Sequence, residues 1–415
     1  MSRVAIVYPR ANIDTVPSLV GAAELLAGHG YAVDVFTLNG AGQPPPRFAH
    51  ERIHVRSLGV EGLADQSTAR LRSAVRRAGW LPRAARAPLA RGYAALGAGL
   101  AHGSRFMARV RTRPEHYACV IGVDPDGLVL AQSIAGGAPV AYYSLELLLT
   151  EALTSSADRR LKQQERALSQ AAPFIVVQDA DRAHLLVAEN GVDPSRLVLV
   201  PNAPPGPARR RPSRSWHGRC GLPEQARVVL HAGSLGDWTG IDDLVREVPA
   251  WPEPWVLVVH TRYDAETSPY VARLQASADS RRVHFSLKPV DRQAYDALVD
   301  GADVGLAFYV ASDESAFTGR NIQTIGLSSG KLAYYLRAGL PVIVNQAASI
   351  GTTLEAAGCG VAVADAAGVA DALTRVSLRY DAFSEAACAF FDDQLDFARA
   401  FARVIERIDA LAVRA

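Results

Sequence analysis

The sequence predicts an α/β fold made of two doubly wound domains that face a common cleft. Short apolar segments typical of buried parallel strands alternate with amphipathic segments typical of helices along much of the chain. This alternation stops once, between residues 203 and 225, where the chain is rich in Pro and Arg and has no periodicity. With 415 residues, the chain is also too long for one ordinary hydrophobic core.

The first domain, residues 1–202, begins with a strand–helix–strand unit. The apolar segment 3–8 predicts a strand, segment 18–28 predicts a helix that ends at Gly28-His29-Gly30, and segment 32–38 predicts the next strand. The later segments of this domain repeat the alternation, so we expect a parallel sheet covered by helices on both faces. Its further predicted elements are strands at 117–123, 139–143, 174–178 and 197–200 and helices at 127–135 and 180–190.

The second domain, residues 226–390, follows the linker 203–225. The predicted strands are 228–231, 255–260, 283–287, 304–308, 342–345 and 360–364. The segment 390–408 predicts a single amphipathic helix without a cap, and we expect residues 391–415 to cross back onto the first domain. Because ligands bind outside the carboxyl ends of parallel strands, the two sheets predict a shared cleft that domain closure would shield from water.

The composition is that of a globular protein in a reducing compartment. Apolar residues make up 49% and charged residues 21% of the chain. The cysteines Cys119, Cys220, Cys359 and Cys388 have neither the spacing of a zinc site nor that of a disulfide framework. No apolar segment has the length of a secretory signal or a spanning helix. We therefore expect a cytoplasmic protein whose membrane contact, if it has one, is peripheral.

The segment SSGKLAYYLRAGLPVIVN, residues 328–345, carries the clearest functional signal. Ser328 and Ser329 are good N-cap residues for a short helix, and Gly339 can adopt the left-handed conformation that ends it. The helix N-terminus, its free N–H groups and the Lys331 ammonium would together attract an anion in the cleft. The alternative is an ordinary capped helix.

Four segments resemble glycosyltransferase family 4, whose members have the GT-B fold. Residues 331–343, KLAYYLRAGLPVI, are similar to the family pattern K-L-x-E-Y-L-x-x-G-x-P-V-I, which follows the loop that holds a nucleotide-sugar donor. The other three agree in order and spacing: HAGSLGDWTGI at 231–241, VPN at 200–202 and VQDADR at 177–182. The resemblance implies two Rossmann-like domains and the transfer of a sugar.

The chain also departs from the family pattern. Members commonly carry an Arg and a Lys that meet the donor diphosphate, where this chain has Ser234 and Thr239. The paired glutamates of the family, which hold ribose and sugar hydroxyls, align with Gly326 and Tyr334. A diphosphate binds weakly without cations, so replacements are needed.

We predict that Lys331 and Arg320 supply these cations, and that backbone N–H groups of residues 233–236 and 328–330 help to hold the phosphates. Arg262 is either a further cation or a solvated loop residue. Asp313 and Glu314, with Asn321 and the Ser328 and Ser329 hydroxyls, are candidates to replace the glutamates, although acids in a loop often serve solubility alone. The predicted donor-binding residues are Gly233, Ser234, Leu235, Gly236, Arg262, Asp313, Glu314, Asn321, Ser328, Ser329 and Gly330.

On the acceptor side, the strand 139–143 is followed by Ser144-Leu145-Glu146. We expect Tyr143, Ser144 and Glu146 near the cleft. If Glu146 is the general base, the transfer would invert the anomeric configuration of the sugar. If Glu146 only orients a hydroxyl, retention of that configuration stays open, and the resemblance favours retention. Asp124 is a further candidate for this side, with a plain helix cap as the alternative.

Residues 66–114 contain eleven arginines and no acidic residue, interleaved with leucine and aromatic residues. Such cationic, partly apolar segments bind anionic membrane surfaces, which suits a lipid-linked acceptor. Nucleic acid is the competing partner and ranks lower, because no recognition module accompanies the segment. A solvated insertion is the third interpretation.

Together these observations predict a glycosyltransferase of the hexosyltransferase type, with Glu146, Lys331 and Arg320 as catalytic residues. It would need no metal and no cofactor, and its nucleotide sugar would be a substrate. The acceptor would be a hydroxyl of a glycan, a lipid-linked sugar or a polysaccharide precursor, in cell-envelope or glycan biosynthesis. The alternatives are a GT-B-like binding or scaffold protein without catalysis and a sugar-nucleotide epimerase.

Overall fold

The computed structural model describes residues 2–38, 46–58, 116–261, 265–312, 315, 317–346 and 350–413. They form two parallel sheets, each with apolar side chains packed on both faces. The predicted α/β fold of two doubly wound domains is confirmed. Along β1, Val4 and Ile6 pack into one core cluster whereas Ala5 and Val7 pack into another, as alternating side chains of a fully covered strand must.

The seven-stranded sheet of the first domain has the order β3-β2-β1-β4-β5-β6-β7. Its strands are β1 (Arg3–Tyr8), β2 (Ala32–Thr37), β3 (Ile53–Ser57), β4 (Tyr117–Val123), β5 (Val140–Tyr143), β6 (Ile175–Val177) and β7 (Leu197–Leu199). Its helices are α1 (Pro17–His29), α2 (Asp124–Ile134), α3 (Ser156–Ala171) and α4 (Ala180–Asn190). The strand order reverses between β1 and β4, which opens a crevice at their carboxyl ends.

The six-stranded sheet of the second domain has the order β10-β9-β8-β11-β12-β13 and reverses between β8 and β11. Its strands are β8 (Arg227–Gly233), β9 (Trp255–Thr261), β10 (Val283–Ser286), β11 (Val304–Ala307), β12 (Val342–Asn345) and β13 (Gly360–Val363). The helices that follow the first domain are α5 (Ser215–Cys220), α6 (Ile241–Glu247), α7 (Pro269–Ser277), α8 (Arg292–Asp300), α9 (Arg320–Gln323), α10 (Gly330–Arg337), α11 (Ile350–Ala356), α12 (Val369–Leu378), α13 (Tyr380–Gln394) and α14 (Phe397–Ala412).

The connection between the domains is more ordered than its composition predicts. Within residues 203–225, Trp216 of α5 is fully buried and donates its indole N–H to the Leu298 carbonyl at 2.7 Å. Arg209 reaches Asp296 at 2.5 Å. The segment is therefore packed onto the second domain over part of its length.

The predicted single helix at 390–408 is wrong, because the chain forms two helices there. α13 ends before Leu395, and the side chain of Asp396 caps α14 by accepting a hydrogen bond from the Arg399 N–H at 3.0 Å. α14 then packs against α1, β4 and β7 of the first domain. The polar helix α3 and the edge strand β3 were not predicted.

No helix within the described ranges is both long and apolar enough to cross a membrane. The arginine-rich segment 66–114, for which a membrane surface is the expected partner, lies outside the described residues.

The contact between α1 and α14 gives a stability prediction. A Cβ added to Gly21 would lie 2.7 Å from the Phe397 ring, whereas one added to Gly28 on the same helix would meet no atom within 4 Å. We expect Gly21→Ala to lower the free energy of unfolding by about 1–3 kcal/mol, because the ring is held in a packed core. Gly28→Ala is the control and should raise it by about 0.4–1 kcal/mol. Urea unfolding measures both, and equal effects would contradict this packing.

Candidate active site

A cavity of about 860 Å³ lies between the carboxyl edges of the two sheets, and both domains line it. Its size is that of a typical small-molecule site. From the first domain, its lining includes Tyr8, Arg10, Asn12, Asp14, Thr15, Asp124, Glu146 and Asn202. From the second domain, it includes Gly233, Ser234, Trp238, His260, Tyr295, Tyr309, Ser328, Ser329, Gly330, Lys331 and Tyr334.

The N-terminus of α10 forms part of the second-domain wall. Ser329 caps this helix by accepting a hydrogen bond from the Leu332 N–H at 3.2 Å, and Gly339 follows its end with φ +67°. Lys331 Nζ lies 4.9 Å from the centre of the Tyr309 ring, and the Tyr309 hydroxyl contacts Ser329 Oγ. The ring contact and the cap hold a cation and a helix N-terminus together at the cavity, which favours an anionic ligand.

Two buried histidines at this wall are neutral at pH 7. Burial and the nearby Lys331 ammonium lower the pKa of His231 to about 3. Burial and the Arg219 guanidinium lower the pKa of His260, which lines the cavity, to about 4. His260 Nδ1 lies 3.0 Å from Ser286 Oγ. Positive charge on this wall therefore comes from Lys331, the helix end and Arg292, which pairs with Glu24, rather than from imidazolium.

Asp124 organises the first-domain wall. It lies directly after β4, is fully buried and has φ +59°, a left-handed conformation that Asp tolerates better than most residues. Its Oδ1 accepts hydrogen bonds from the N–H groups of Leu145 at 2.9 Å and Glu146 at 2.8 Å, and its Oδ2 pairs with Arg10 at 2.7 Å. It makes no cap bond to α2, so the alternative of a plain helix cap is wrong.

Glu146 follows β5 and reaches the cavity, as its position at a strand end predicted. Its carboxyl accepts a hydrogen bond from Asn321 Nδ2 of the second domain at 2.8 Å. Burial raises the pKa of Glu146, and the neighbouring Asp124 carboxylate raises it further, while Arg182 and Asn321 act in the opposite direction. A carboxyl with a raised pKa in a cleft is a candidate for proton transfer or for orienting a hydroxyl.

The residues that stand in place of the family glutamates have different surroundings. Gly326 has φ +43°, and a Cβ there would lie 2.3 Å from Asp179 Oδ2. A first-domain carboxylate thus occupies the space that a side chain would need. Tyr334 packs its ring edge-to-face with Tyr295, with centroids 4.8 Å apart, and both line the cavity.

The predicted site residues are distributed unevenly around the cavity. Those in its lining are Glu146, Lys331, Gly233, Ser234, Ser328, Ser329, Gly330 and Asp124. Leu235 and Gly236 are not among the described residues of the lining, and Tyr143 and Ser144 are buried at the strand end beneath it. Asn321 is buried between the domains, where it contacts Glu146 rather than open space. Arg262, Asp313 and Glu314 lie outside the described residues.

Arg320 does not take the place that the sequence suggested. Its side chain is 52% exposed and pairs with Glu151 of the first domain at 3.3 Å, and it is not among the described residues that line the cavity. In this arrangement its guanidinium is engaged at the surface between the domains. Of the two predicted cations that the structure describes, Lys331 and Arg320, Lys331 is the one that lines the cavity.

Arg10 and His260 are cavity residues that the sequence patterns did not identify. Arg10 follows β1 and His260 lies near the end of β9, so both sit at carboxyl strand ends. The reasoning that located Glu146 at the end of β5 could also have found them.

No protein-family model matches the chain, and no curated protein matches it in sequence. Solved structures resemble it over its whole length. Sucrose-phosphate synthase from Thermosynechococcus elongatus aligns with a TM-score of 0.67 at 14% identity, over 100% of each chain. A second structure is the UDP-forming α,α-trehalose-phosphate synthase from Burkholderia xenovorans, in complex with glucose-6-phosphate. It aligns with a TM-score of 0.66 at 14% identity, over 98% of this chain and 100% of that one.

HepE from Anabaena, in complex with UDP-glucose, aligns with a TM-score of 0.61 at 12% identity, over 100% of this chain and 99% of that one. At such identities the likeness establishes the fold alone, and it confirms the expected GT-B architecture. Membership of family 4 stays a prediction.

The two roles of Asp124 can be separated by substitution. Asp124→Ala leaves two buried N–H groups without their acceptor, so we expect the free energy of unfolding to fall by about 1–3 kcal/mol. Asp124→Asn keeps an oxygen that accepts from both N–H groups and tolerates the positive φ, so its free energy of unfolding should fall clearly less. Urea unfolding distinguishes the two variants. A loss as large in Asp124→Asn as in Asp124→Ala would assign the stability to the Arg10 ion pair instead.

Proposed function

We propose that this chain is a glycosyltransferase that moves a sugar from a nucleotide-diphosphate donor to a hydroxyl acceptor. The observation that carries the proposal is the interdomain cavity, with the α10 N-terminus and Lys331 on one wall and the Glu146 carboxyl on the other. An anion-binding wall facing a carboxyl across a closable cleft suits the joining of two substrates.

The donor would bind to the second domain. Its diphosphate would lie against Lys331 and the N–H groups around Ser329 and Gly330, with Gly233 and Ser234 on the adjacent strand end. These groups would stabilise the charge that develops on the leaving diphosphate, which removes the need for a metal ion. Uridine nucleotides come first among candidates, because structures of this fold named for UDP formation or UDP-glucose align with the chain.

The acceptor would bind to the first domain, with its hydroxyl near Glu146. We propose retention of the anomeric configuration, in which the leaving phosphate takes the proton and the Glu146 carboxylate orients the hydroxyl. A lipid-linked sugar or polysaccharide precursor is the proposed acceptor class, because the arginine-rich segment 66–114 would suit an anionic membrane surface. The protein would then act at the cytoplasmic face of the membrane.

One observation favours a second candidate, a binding protein without catalysis. At the two positions where the family pattern has glutamates, the chain has Gly326, whose side-chain space is taken by Asp179, and Tyr334, which packs on Tyr295. Nucleotide release that depends on an acceptor would support the transferase over both this candidate and an epimerase.

Nucleotide binding tests the donor site. We expect UDP or another nucleoside diphosphate to raise the melting temperature of the protein, and Lys331→Ala to weaken its binding about 10- to 100-fold, because a hydrogen bond to a charged group contributes about 1.5–3 kcal/mol. A thermal-shift titration against UDP, GDP, dTDP, ADP and CMP measures both effects.

Lys288→Ala is the matched control, since Lys288 is 65% exposed, pairs with Glu266 and is absent from the described cavity lining. It should bind as the wild type does. No shift with any nucleotide at millimolar concentration, or equal weakening in the two variants, would argue against this donor site.

The stereochemical outcome tests the proposed role of Glu146. We expect the anomeric configuration of the donor sugar to be retained, because the leaving phosphate rather than the carboxylate would accept the proton. Proton NMR coupling constants at the anomeric centre of the first-formed product measure this directly. An inverted product would instead assign Glu146 as the general base.

A further inference from the structure

A short stretch of the second domain reaches across the cleft and docks on the first. This interdomain segment, residues 320–329, starts with α9 and ends at the cap of α10. Its contacts are Asn321 with Glu146 and Leu147, the Thr324 carbonyl with Arg182, the Leu327 N–H with Asp179, and the Ser328 carbonyl with Asn202. Backbone and side-chain groups thus join the domains next to the cavity.

The Asn321 side chain is held in one orientation. It is 2% exposed, its Oδ1 accepts a hydrogen bond from the Leu147 N–H at 3.1 Å, and its Nδ2 donates to the Phe317 carbonyl at 2.9 Å. An N–H can only donate and a carbonyl can only accept, so these two partners determine which end of the amide is oxygen. The second hydrogen of Nδ2 is therefore directed at Glu146 Oε2, 2.8 Å away.

Glu146 depends on the other domain for the orientation of its carboxyl. The first domain holds its backbone, since Asp124 accepts from the Glu146 N–H and Arg182 donates to the preceding Leu145 carbonyl at 2.6 Å. Among the described residues, Asn321 is the one whose side chain is hydrogen-bonded to the Glu146 carboxyl. If the domains separated, Asn321 would leave with the second domain and the carboxyl would lose this partner.

The interdomain segment also leads directly into the proposed donor site. Ser328 and Ser329, at its end, line the cavity beside Gly330 and Lys331. A ligand bound to this wall therefore contacts the same continuous stretch of chain that presents Asn321 to Glu146. If the domains close around a ligand, that closure would also orient the carboxyl.

We propose that Asn321 is a positioning residue that orients the Glu146 carboxylate toward the acceptor hydroxyl only when the domains are closed. This inference rests on the proposed function. It assigns Asn321 to the acceptor reaction, rather than to the hydroxyls of the donor as the sequence suggested. Asn321 itself would touch neither substrate.

The hydrogen bond also has a pH signature. The titratable groups that face Glu146 are Asp124, Arg182, Arg10 and Tyr8 from the first domain, and the neutral Asn321 amide comes from the second. A donated hydrogen bond favours the ionised carboxyl and lowers its pKa. Removing the amide raises that pKa. On acidification, Glu146 is then protonated at a higher pH, and the activity that needs the ionised carboxyl is lost there.

The test compares Asn321→Ala, Asn321→Asp and the control Gln323→Ala, an exposed position on the same short helix. We expect both Asn321 variants to bind UDP or the active nucleotide as the wild type does. The kcat for sugar transfer to the acceptor should fall about 10- to 100-fold. The acidic limb of kcat against pH should move to higher pH, further in Asn321→Asp, whose carboxylate would repel Glu146. Gln323→Ala should match the wild type in all three readouts.

Asn321→Asp keeps an acceptor for the Leu147 N–H. Unchanged nucleotide binding in both variants checks that the segment stays in place, because its Ser328 and Ser329 line the proposed donor site. Wild-type kcat and an unshifted acidic limb in both Asn321 variants would overturn this inference while leaving the transferase intact. Weaker nucleotide binding with unchanged kcat would also overturn it, and would return Asn321 to the donor site. A wild-type protein without nucleotide binding or turnover would instead refute the proposed function itself.

Discussion

The docking of residues 320–329 on the first domain is the contact on which the site depends. Arg182 is fully buried and donates to Gln178, Leu145 and Thr324, so one guanidinium joins the carboxyl end of β5 to the opposite domain. Asp179 caps α4 through Oδ1 and holds the Leu327 N–H through Oδ2. Buried polar groups are costly when unpaired, so these bonds favour one closed arrangement over many looser ones.

The closed arrangement creates two walls of different electrostatic character. The second-domain wall combines a helix N-terminus with Lys331 beside neutral histidines, whereas the first-domain wall pairs Arg10 with Asp124 and leaves Glu146 facing the cavity. An anion and a hydroxyl can therefore be held opposite each other without sharing partners. This separation of charge is what a group transfer between two substrates requires.

Much of the fold and some of the site could be predicted, for identifiable reasons. The bounds of β1, β4 and β12 agree with the predicted strands, because buried parallel strands read as continuous apolar runs. The helix α3 was missed, although Ser155 and Asp158 form a capping box at its start, because its surface is mostly polar. Glu146 and Lys331 line the cavity as expected, because their positions at the ends of regular elements could be predicted. The partners of Asn321 and Arg320 come from distant parts of the chain.

Local pattern was sufficient for most of the strands, for the presence of two domains and for the N-terminus of α10 with its small residues and Lys331. Apolar periodicity, caps and glycines act over a few residues, and such signals survive in one sequence. The folded chain alone decided that Asp124 supports Glu146, that Arg320 turns to Glu151 and that Asp179 fills the space beside Gly326. Asp124 and Glu146 are 22 positions apart and meet through the fold of the first domain. The other two contacts join residues more than a hundred positions apart, so they follow from how the two domains close.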